Sequence, residues 1–254
     1  METLFIFLGA VAAGLLAGFL GVGGGILIVP ALTLFAGTPI KDAVGVSLTS
    51  IITVSMSAST VYLNKDLVDL RMGIYLAIAA SVGGITGALA GGIIPEHVVA
   101  LLFGSVMLYA IFSMLRRDNP TQPSHTGYSA TRIAIFMFLT FLVGNLTGLL
   151  GIGGGLAFIP LMYIGLGFPM ALAVGTSAFN VGLAATGGAL IYFLRGDLNS
   201  ALPLIPPVVI GMIVGAKLGG LFGVRAKPIV TKIVFSGMLV YFCYRMIAKG
   251  IAGL

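Results

Sequence analysis

The residues best suited to chemistry in this chain are two clusters of glycine. Residues 18–30 read GFLGVGGGILIVP and residues 148–160 read GLLGIGGGLAFIP, so each cluster has the spacing G-x-G-G-G. Glycine permits backbone conformations that interrupt a helix, and the N–H groups at the start of the next helix favour a negatively charged ligand. The clusters predict an anion site, with close helix packing as the alternative. The glycines concerned are Gly21, Gly23, Gly24, Gly25, Gly151, Gly153, Gly154 and Gly155.

Hydroxyl and amide side chains follow each cluster in the next apolar segment. They are Ser47 and Ser50 after the first cluster, and Thr176, Ser177 and Asn180 after the second. Residues three apart share one face of a helix, so several of these groups can face the same point. Asn145 offers a further amide shortly before the second cluster. We predict that this set lines the anion site, although hydrogen bonding between helices is the simpler explanation for any one residue.

The composition identifies the elements that hold these groups as membrane helices. Hydrophobic residues make up 59% of the chain and charged residues 8%, whereas soluble domains carry about 25% charged residues. Eight apolar segments follow one another, at residues 3–36, 43–63, 72–94, 98–115, 133–166, 171–194, 201–224 and 229–247. Six of them have roughly the 20 residues that span a hydrocarbon core of about 30 Å. We therefore expect an all-α, multi-pass membrane protein.

Charged residues inside the apolar segments are rare. Every Asp and Glu lies at an end or in a connection, which argues against a proton relay, a metal site and an enzyme. Lys217 is the exception among the basic residues, because it lies well inside an apolar segment, whereas the others are at or near the ends of segments, and its ammonium would match an anion. It also lies eight residues before Arg225, so its stem could carry the charge to the surface. Lys65 and Arg195, at matching positions, are expected at the mouth of a pathway or as topology anchors.

The two halves of the chain are similar to each other. Seven of the thirteen positions in the two glycine segments are identical after a shift of 130 residues, and the same shift pairs Tyr62 with Tyr192. A shift of 128 pairs two Gly-x-x-x-Gly ladders that begin at Gly83 and Gly211, which we assign to helix packing. The pattern predicts a tandem duplication. The predicted organisation is a first transmembrane repeat, a polar linker and a second transmembrane repeat, at residues 1–115, 116–130 and 131–254.

The first and fifth apolar segments are too long for one crossing. Each has 34 residues, or about 51 Å of helix at about 1.5 Å per residue. The part that follows each glycine cluster reaches only to the middle of the membrane. We favour a re-entrant hairpin, which makes the repeats inverted and places both termini outside, over eight simple crossings. The basic residues of the connections divide eight to four in both arrangements, so the positive-inside rule does not choose between them.

The doubled motif also carries a family resemblance. The G-x-G-G-G-x(4)-P segments, the P-x(3)-A-V-G-x-S stretches at residues 39–47 and 169–177, and the eight apolar segments resemble the TauE/SafE sulfite exporter family. This family includes transporters similar to 4-toluene sulfonate uptake permeases. The resemblance covers nearly the whole chain. It implies a transporter of the bacterial inner membrane for an anionic sulfur compound, such as sulfite or an organosulfonate like sulfoacetate, and leaves the substrate and the direction open.

We therefore expect a secondary transporter that binds its substrate near mid-membrane, at the paired glycine breaks, and works by alternating access. An anion channel with a glycine-lined filter, a carrier for another small oxyanion and a scaffold without transport are the alternatives. No cofactor is expected, and a net charge of +6 suits anionic lipid rather than nucleic acid. Coupling to a cation through carbonyls and hydroxyls stays open. A homodimer is expected, because so small a chain has few helices to form a fixed frame.

Overall fold

The computed structural model describes residues 2–20, 23–115, 130–198, 201–223 and 228–252, and the regular elements in these ranges are helices. In chain order they are α1 (Glu2–Leu20), α2 (Gly25–Phe35), α3 (Ile40–Leu63), α4 (Leu70–Ile93), α5 (Glu96–Leu115), α6 (Ala130–Leu150), α7 (Gly155–Pro160, continued by a π-helical turn at Leu161–Gly165), α8 (Met170–Leu194), α9 (Ile205–Gly223, preceded by a 3-10 turn at Leu202–Leu204) and α10 (Pro228–Ala252). The predicted linker at 116–130 lies outside the described residues except for Ala130, and so does Gly21.

The lengths and surfaces of the helices are those of a multi-pass membrane protein. In the described ranges, α3, α4, α6 and α8 are long and apolar enough to cross a membrane. Shorter apolar stretches lie in α1, α2, α5 and α9. Large apolar side chains such as Phe35, Ile78 and Phe193 are exposed on the outside of the bundle, where lipid tails provide an equally apolar surrounding. The all-α fold class is confirmed.

The central pair of helices is α3 and α8, which run in opposite directions. A Cβ added at Gly45, near the start of α3, would lie 2.6 Å from a methyl group of Leu198, just after the end of α8. Halfway along, a Cβ at Gly182 would lie 3.0 Å from the Ser55 Cβ. Glycines thus let the two helices approach closely, and one face of α3, with Ser47, Ser50 and Ile51, is fully buried.

The two glycine ladders pack two further pairs of helices. A Cβ at Gly83 on α4 would overlap the Phe141 carbonyl of α6, and one at Gly87 would overlap the Asn145 carbonyl. The two helices therefore run in the same direction. The corresponding contacts of α9 with α1 are those of Gly211 with Phe7 and of Gly215 with Val11. The assignment of the ladders to helix packing is confirmed, and the packing lies within one chain.

The outer pair of helices is α5 and α10, which run in opposite directions. A Cβ at Gly104 would lie 2.5 Å from Ile247, and one at Gly250 would lie 2.6 Å from Leu101. The Cys243 thiol is buried between the two helices and donates to the Gly104 carbonyl over 3.3 Å. This cysteine is therefore a packing residue of the bundle.

Candidate functional site

Both long apolar segments break at their glycine clusters. The first helix of each segment ends at Leu20 or Leu150, and the next begins five residues later, at the last glycine of the cluster. Gly24 and Gly154 precede the new helices in the left-handed conformation, with φ of 74° and 65°. Residues with a Cβ adopt this conformation at a cost, so the cluster must be glycine. The same positive φ is found at Gly23, Gly151 and Gly153.

The two breaks touch each other. A Cβ added at Gly25 would overlap the carbonyl oxygen of Gly151, so the two backbones are in direct contact. The Ser47 hydroxyl donates a hydrogen bond of 2.8 Å to the same carbonyl and would lie 2.9 Å from that added Cβ. The structure therefore brings Ser47 and both glycine clusters together.

Each break also rests against a central helix at its midpoint. A Cβ at Gly23 would lie 3.4 Å from the Val181 side chain on α8, and one at Gly153 would lie 3.2 Å from the Ile51 side chain on α3. The shift of 130 residues that relates the two clusters also relates these two contacts. Because Ile51 and Val181 lie halfway along their helices, the breaks lie in the middle of the bundle.

The polar residues of the two central helices differ in their hydrogen bonding. Ser47 is bonded as described, and the Ser50 hydroxyl donates to the Val46 carbonyl over 2.8 Å. Ser177 and Asn180, their counterparts on α8, are fully buried. In the described part of the chain, neither the Ser177 hydroxyl nor either polar atom of the Asn180 amide has a hydrogen-bond partner. A buried polar atom without a partner costs about 1–3 kcal/mol, so these groups are suited to a ligand.

Two other predicted residues hold helices together. The Asn145 amide donates to the Phe141 carbonyl over 3.0 Å and accepts from the Thr86 hydroxyl over 2.9 Å. The Thr176 hydroxyl accepts from the Asp69 backbone N–H over 3.1 Å, at the start of α4. None of Asn145, Thr176, Ser177 and Asn180 is among the described residues that line the cavity below, although Ser177 and Asn180 are adjacent in sequence to its lining residues Ala178 and Val181.

A cavity of about 620 Å³ leads from one end of the bundle to the first break. Gly23 and Val181 line its inner part, whereas Tyr62, Lys65 and Lys217 line it near the ends of α3 and α9. This volume is in the range of ordinary small-molecule sites. The cavity thus connects the first glycine cluster with the surface.

The cavity is basic. Lys65 and Lys217 both line it, and none of its described lining residues is acidic. A cleft of one sign of charge between apolar walls concentrates ions of the opposite sign. Lys217, predicted as a ligand or a snorkelling residue, therefore lies where it can attract an anion.

Sequence reasoning missed the part of α3 that lines the cavity. Ser55, Ala58 and Tyr62 line it together with Lys65. Their separations of three and four residues place them on one helix face. That spacing is the signal by which the face could have been found, since it leads from the middle of α3 to a basic residue.

A second cavity, of about 500 Å³, lies between α1, α2 and the start of α9. Ile6, Leu32, Phe35 and Val208 are among its lining residues, and Thr38 carries the one side-chain hydroxyl in the described lining. It offers no charged group in that lining, so it is less suited to an anion than the first cavity.

Comparisons with known proteins agree with this architecture. Residues 6–246 match the family described as sulfite exporter TauE/SafE. The chain is 28% identical to the probable membrane transporter protein YunE of Bacillus subtilis, with 98% of each chain covered. It is 27% identical to the probable membrane transporter protein YdhB of the same organism, over 90% of this chain and 96% of YdhB. No solved structure gives a significant match. The chain therefore belongs to the TauE/SafE sulfite exporter family of membrane transporters.

Proposed function

We propose that the protein is a secondary transporter that carries a small anionic sulfur compound, an organosulfonate or sulfite, across the bacterial inner membrane. The observation that carries this proposal is the basic cavity, which contains Lys65 and Lys217 and ends at Gly23 in the first helix break. Membership of a transporter family supports transport. An anion that enters the cavity meets a helix N-terminus in the middle of the bundle, where the helix dipole favours it.

The groups at the first break suit a sulfonate or sulfite. The Leu27 and Ile28 N–H groups donate to the Gly24 carbonyl, whereas the amides that precede them have no acceptor within the helix. Ser177 and Asn180 are adjacent in sequence to Ala178 and Val181, which line the cavity. We propose that the Ser177 hydroxyl and the Asn180 amide, which have no partner in the described chain, supply further donors to the anion. Three oxygen atoms of a sulfonate or sulfite can accept from this many donors, whereas a carboxylate offers two. We therefore assign the preference for a sulfonate or sulfite over a carboxylate to these groups, while Gly25 and Ser47 hold the two breaks together.

The directions of the packed helices support re-entrant hairpins. Since α3 and α4 are joined by a short turn, they run in opposite directions. α6 runs in the direction of α4, and α8 runs opposite to α3. Hence α6 and α8 start at the same end of the bundle, and the chain between them turns back at the second glycine cluster. In the first half, α9 runs in the direction of α3, because Lys217 in its later part lines the cavity together with Lys65 at the end of α3. α1 runs in the direction of α9, so α1 and α3 also start at the same end and the chain between them forms a hairpin. The repeats are therefore inverted.

The inverted arrangement also sets the orientation. In the inverted arrangement, the connections that join helices at the cavity end carry most of the basic residues by sequence, namely Lys65, Arg71, Arg116, Arg117, Arg132, Arg225, Lys227 and Lys232. The opposite end has Lys41, Arg195, Arg245 and Lys249. By the positive-inside rule the first end is cytoplasmic. The cavity therefore faces the cytoplasm, and both termini are outside.

A homodimer and a coupling cation stay predictions. The ladders that begin at Gly83 and Gly211 are covered within the chain, so a dimer has to use another face. A cation would find carbonyls at the glycine breaks and the oxygen atoms of Ser177 and Asn180. Sodium-dependent binding of the substrate is the measurement that tests such coupling.

The proposal is tested by thermal unfolding of the purified protein in detergent. Sulfoacetate, sulfite and taurine are compared with acetate, succinate and sulfate at equal ionic strength. A ligand at 100 times its Kd stabilises a protein by about 2.7 kcal/mol, which corresponds to roughly 5–10 °C for a chain of this size. We expect stabilisation by a sulfonate or sulfite and little by the carboxylates. Equal stabilisation by both classes would contradict the sulfur-specific site.

A transport assay separates the carrier from an anion channel. In proteoliposomes a carrier saturates with substrate and accelerates when substrate is present on the far side, whereas a channel does neither. We expect saturation and exchange. Flux that rises in proportion to concentration would favour a channel with a glycine-lined filter.

A further inference from the structure

The ends of α3 and α8 have the same local structure but different surroundings. In both, a tyrosine is followed three residues later by a basic residue, as Tyr62 with Lys65 and Tyr192 with Arg195. The turn is closed in both by a hydrogen bond to the tyrosine carbonyl, from Leu67 over 2.9 Å and from Asp197 over 3.2 Å. The two ends are therefore equivalent in backbone, so a difference between their side-chain contacts reflects what packs on them.

At the end of α8 the side chains are locked against neighbouring helices. The Arg195 guanidinium donates to the Ala88 carbonyl of α4 over 2.9 Å and forms an ion pair of 2.9 Å with Asp197. Tyr192 is 1% exposed, and its hydroxyl lies 3.5 Å from the Leu149 carbonyl of α6. These contacts join the end of α8 to α4 and α6, so this end of the bundle is closed.

Two glycines of α4 make room for this lock. A Cβ added at Gly92 would overlap the Arg195 guanidinium, and one at Gly91 would lie 2.6 Å from the Tyr192 hydroxyl. The guanidinium also lies over the Tyr192 ring, with its carbon 5.6 Å from the ring centre. The closed end therefore depends on the absence of side chains at two consecutive positions.

At the end of α3 the equivalent residues line the open cavity. Tyr62 is half-buried and Lys65 is exposed, and both contribute to the cavity wall. The counterparts of the lining residues Ala17, Ser55, Ala178 and Ala216, by the repeat shifts of 130 and 128, are the fully buried Thr147, Ala185, Leu48 and Ala88. These four positions thus line an open cavity on one side of the breaks and are part of a closed core on the other.

The sequence of α9 contains the positions against which Lys65 and Tyr62 would pack if their end of the bundle closed. Residues 87–92 of α4 read GALAGG, and residues 215–220 of α9 read GAKLGG. Ala216 is the counterpart of Ala88, whose carbonyl accepts a hydrogen bond from Arg195. The two consecutive glycines that make room for Tyr192 and Arg195 are also present at the end of the α9 segment. Ala216 already lines the cavity beside Lys217.

We propose that Tyr192 with Arg195, and Tyr62 with Lys65, are the two gates of the transporter, and that they close in turn. This proposal rests on the proposed function. In the open gate the basic side chain attracts the anionic substrate. In the closed gate it leaves the pathway and binds a helix carbonyl, Ala88 for Arg195 and Ala216 for Lys65. Each cation thus alternates between an anion and a helix as its partner.

The test is cysteine labelling, which requires no substrate. With Cys243→Ser as background, Ser55→Cys reports on the open cavity and its counterpart Ala185→Cys reports on the core behind the closed gate. An impermeant maleimide is applied to right-side-out and to inverted vesicles. We expect Ser55→Cys to react from the cytoplasmic side and Ala185→Cys to react slowly from both. Arg195→Gln should raise the outside rate of Ala185→Cys about tenfold, since a hydrogen bond from a charged group is worth about that factor.

Gly92→Ala, which displaces the guanidinium, should reproduce this effect if Arg195→Gln fails to fold. Lys65→Gln is the matched comparison in the opposite gate. It weakens the closed inner gate that accompanies an open outer gate, so it should lower the outside rate of Ala185→Cys rather than raise it. The proposal would be overturned if Arg195→Gln and Gly92→Ala both left the outside rate of Ala185→Cys unchanged, or if they raised its labelling equally from both sides. A protein that shows the expected labelling but is not stabilised by sulfonates would retain the gates and lose the sulfur-specific function.

Discussion

Replacement of Asn180 by leucine separates a binding residue from a structural one, because the two roles predict changes of opposite sign. Both polar atoms of its amide are buried without a partner in the described part of the chain. Leucine has a similar volume and no polar atom, so Asn180→Leu removes two unsatisfied groups from the substrate-free protein. Each costs about 1–3 kcal/mol. We therefore expect the variant to be more stable by at least about 2 kcal/mol, or roughly 4–8 °C in melting temperature.

The same substitution removes a proposed donor to the substrate. We expect the melting temperature of Asn180→Leu to respond little to sulfoacetate or sulfite, whereas the unmodified protein is stabilised. Ser50→Ala is the matched control at the equivalent position of α3. Its hydroxyl is satisfied by the Val46 carbonyl of its own helix, so its loss should change stability by less than about 1 kcal/mol and leave the ligand response intact.

The assay is thermal unfolding in detergent. Because the chain has no Trp, unfolding is monitored by the reactivity of the cysteine thiol or by light scattering instead of tryptophan fluorescence. A lower melting temperature of Asn180→Leu with an unchanged ligand response would refute the reasoning. It would mean that the amide supports packing and that the substrate binds elsewhere.

Three other changes test the account. Gly24→Val and Gly154→Val should insert into the membrane but lose binding, because both positions have positive φ and a side chain there would meet Met212 or Thr147; unchanged Kd for sulfoacetate would move the site away from the breaks. Lys217→Leu should weaken binding several-fold at low ionic strength and less at high salt, since its charge acts through the cavity; a salt-independent loss would indicate a packing role. A cysteine added after the last residue should react with an impermeant reagent from outside intact cells, and reaction only after permeabilisation would favour eight simple crossings.

Much of the framework follows from glycine alone. The G-x-G-G-G clusters require positive φ, and a helix cannot continue through consecutive residues of that conformation. Their breaks therefore lie where the spacing predicts them. The ladder at Gly83 predicts close backbone contact because no other residue leaves room for it. Such statements depend on the residue itself and hold whatever its neighbours are.

The asymmetry of the site could not be predicted from the repeats. By sequence, Ser47 and Ser177 are equivalent, yet the structure gives a partner to the first and leaves the second without one in the described residues. Likewise Lys65 and Arg195 have equivalent positions, yet Lys65 lines the open cavity whereas Arg195 is bonded to the Ala88 carbonyl. A duplicated sequence specifies two equivalent arrangements, and the free energies of packing decide which half adopts which.

Asn145 shows the same limit at a single residue. Its amide lies near the second glycine cluster in the sequence, which suggested a ligand. In the structure it is bonded to Phe141 and Thr86, because the ladder brings α4 within reach of α6. Thr86, which donates to its amide oxygen, lies 59 residues away in the sequence, and no local sequence pattern predicts such a contact.

The central claim is that an anionic sulfur compound is carried through the basic cavity to the glycine breaks. The most direct measurement is counterflow of labelled sulfite and labelled sulfoacetate in proteoliposomes, with the Gly24→Val protein as the inactive control. We predict saturable uptake of at least one of the two, accelerated by the same unlabelled compound inside and not by acetate or succinate. Uptake that does not saturate, that is matched by the carboxylates, or that persists unchanged in Gly24→Val would contradict the account.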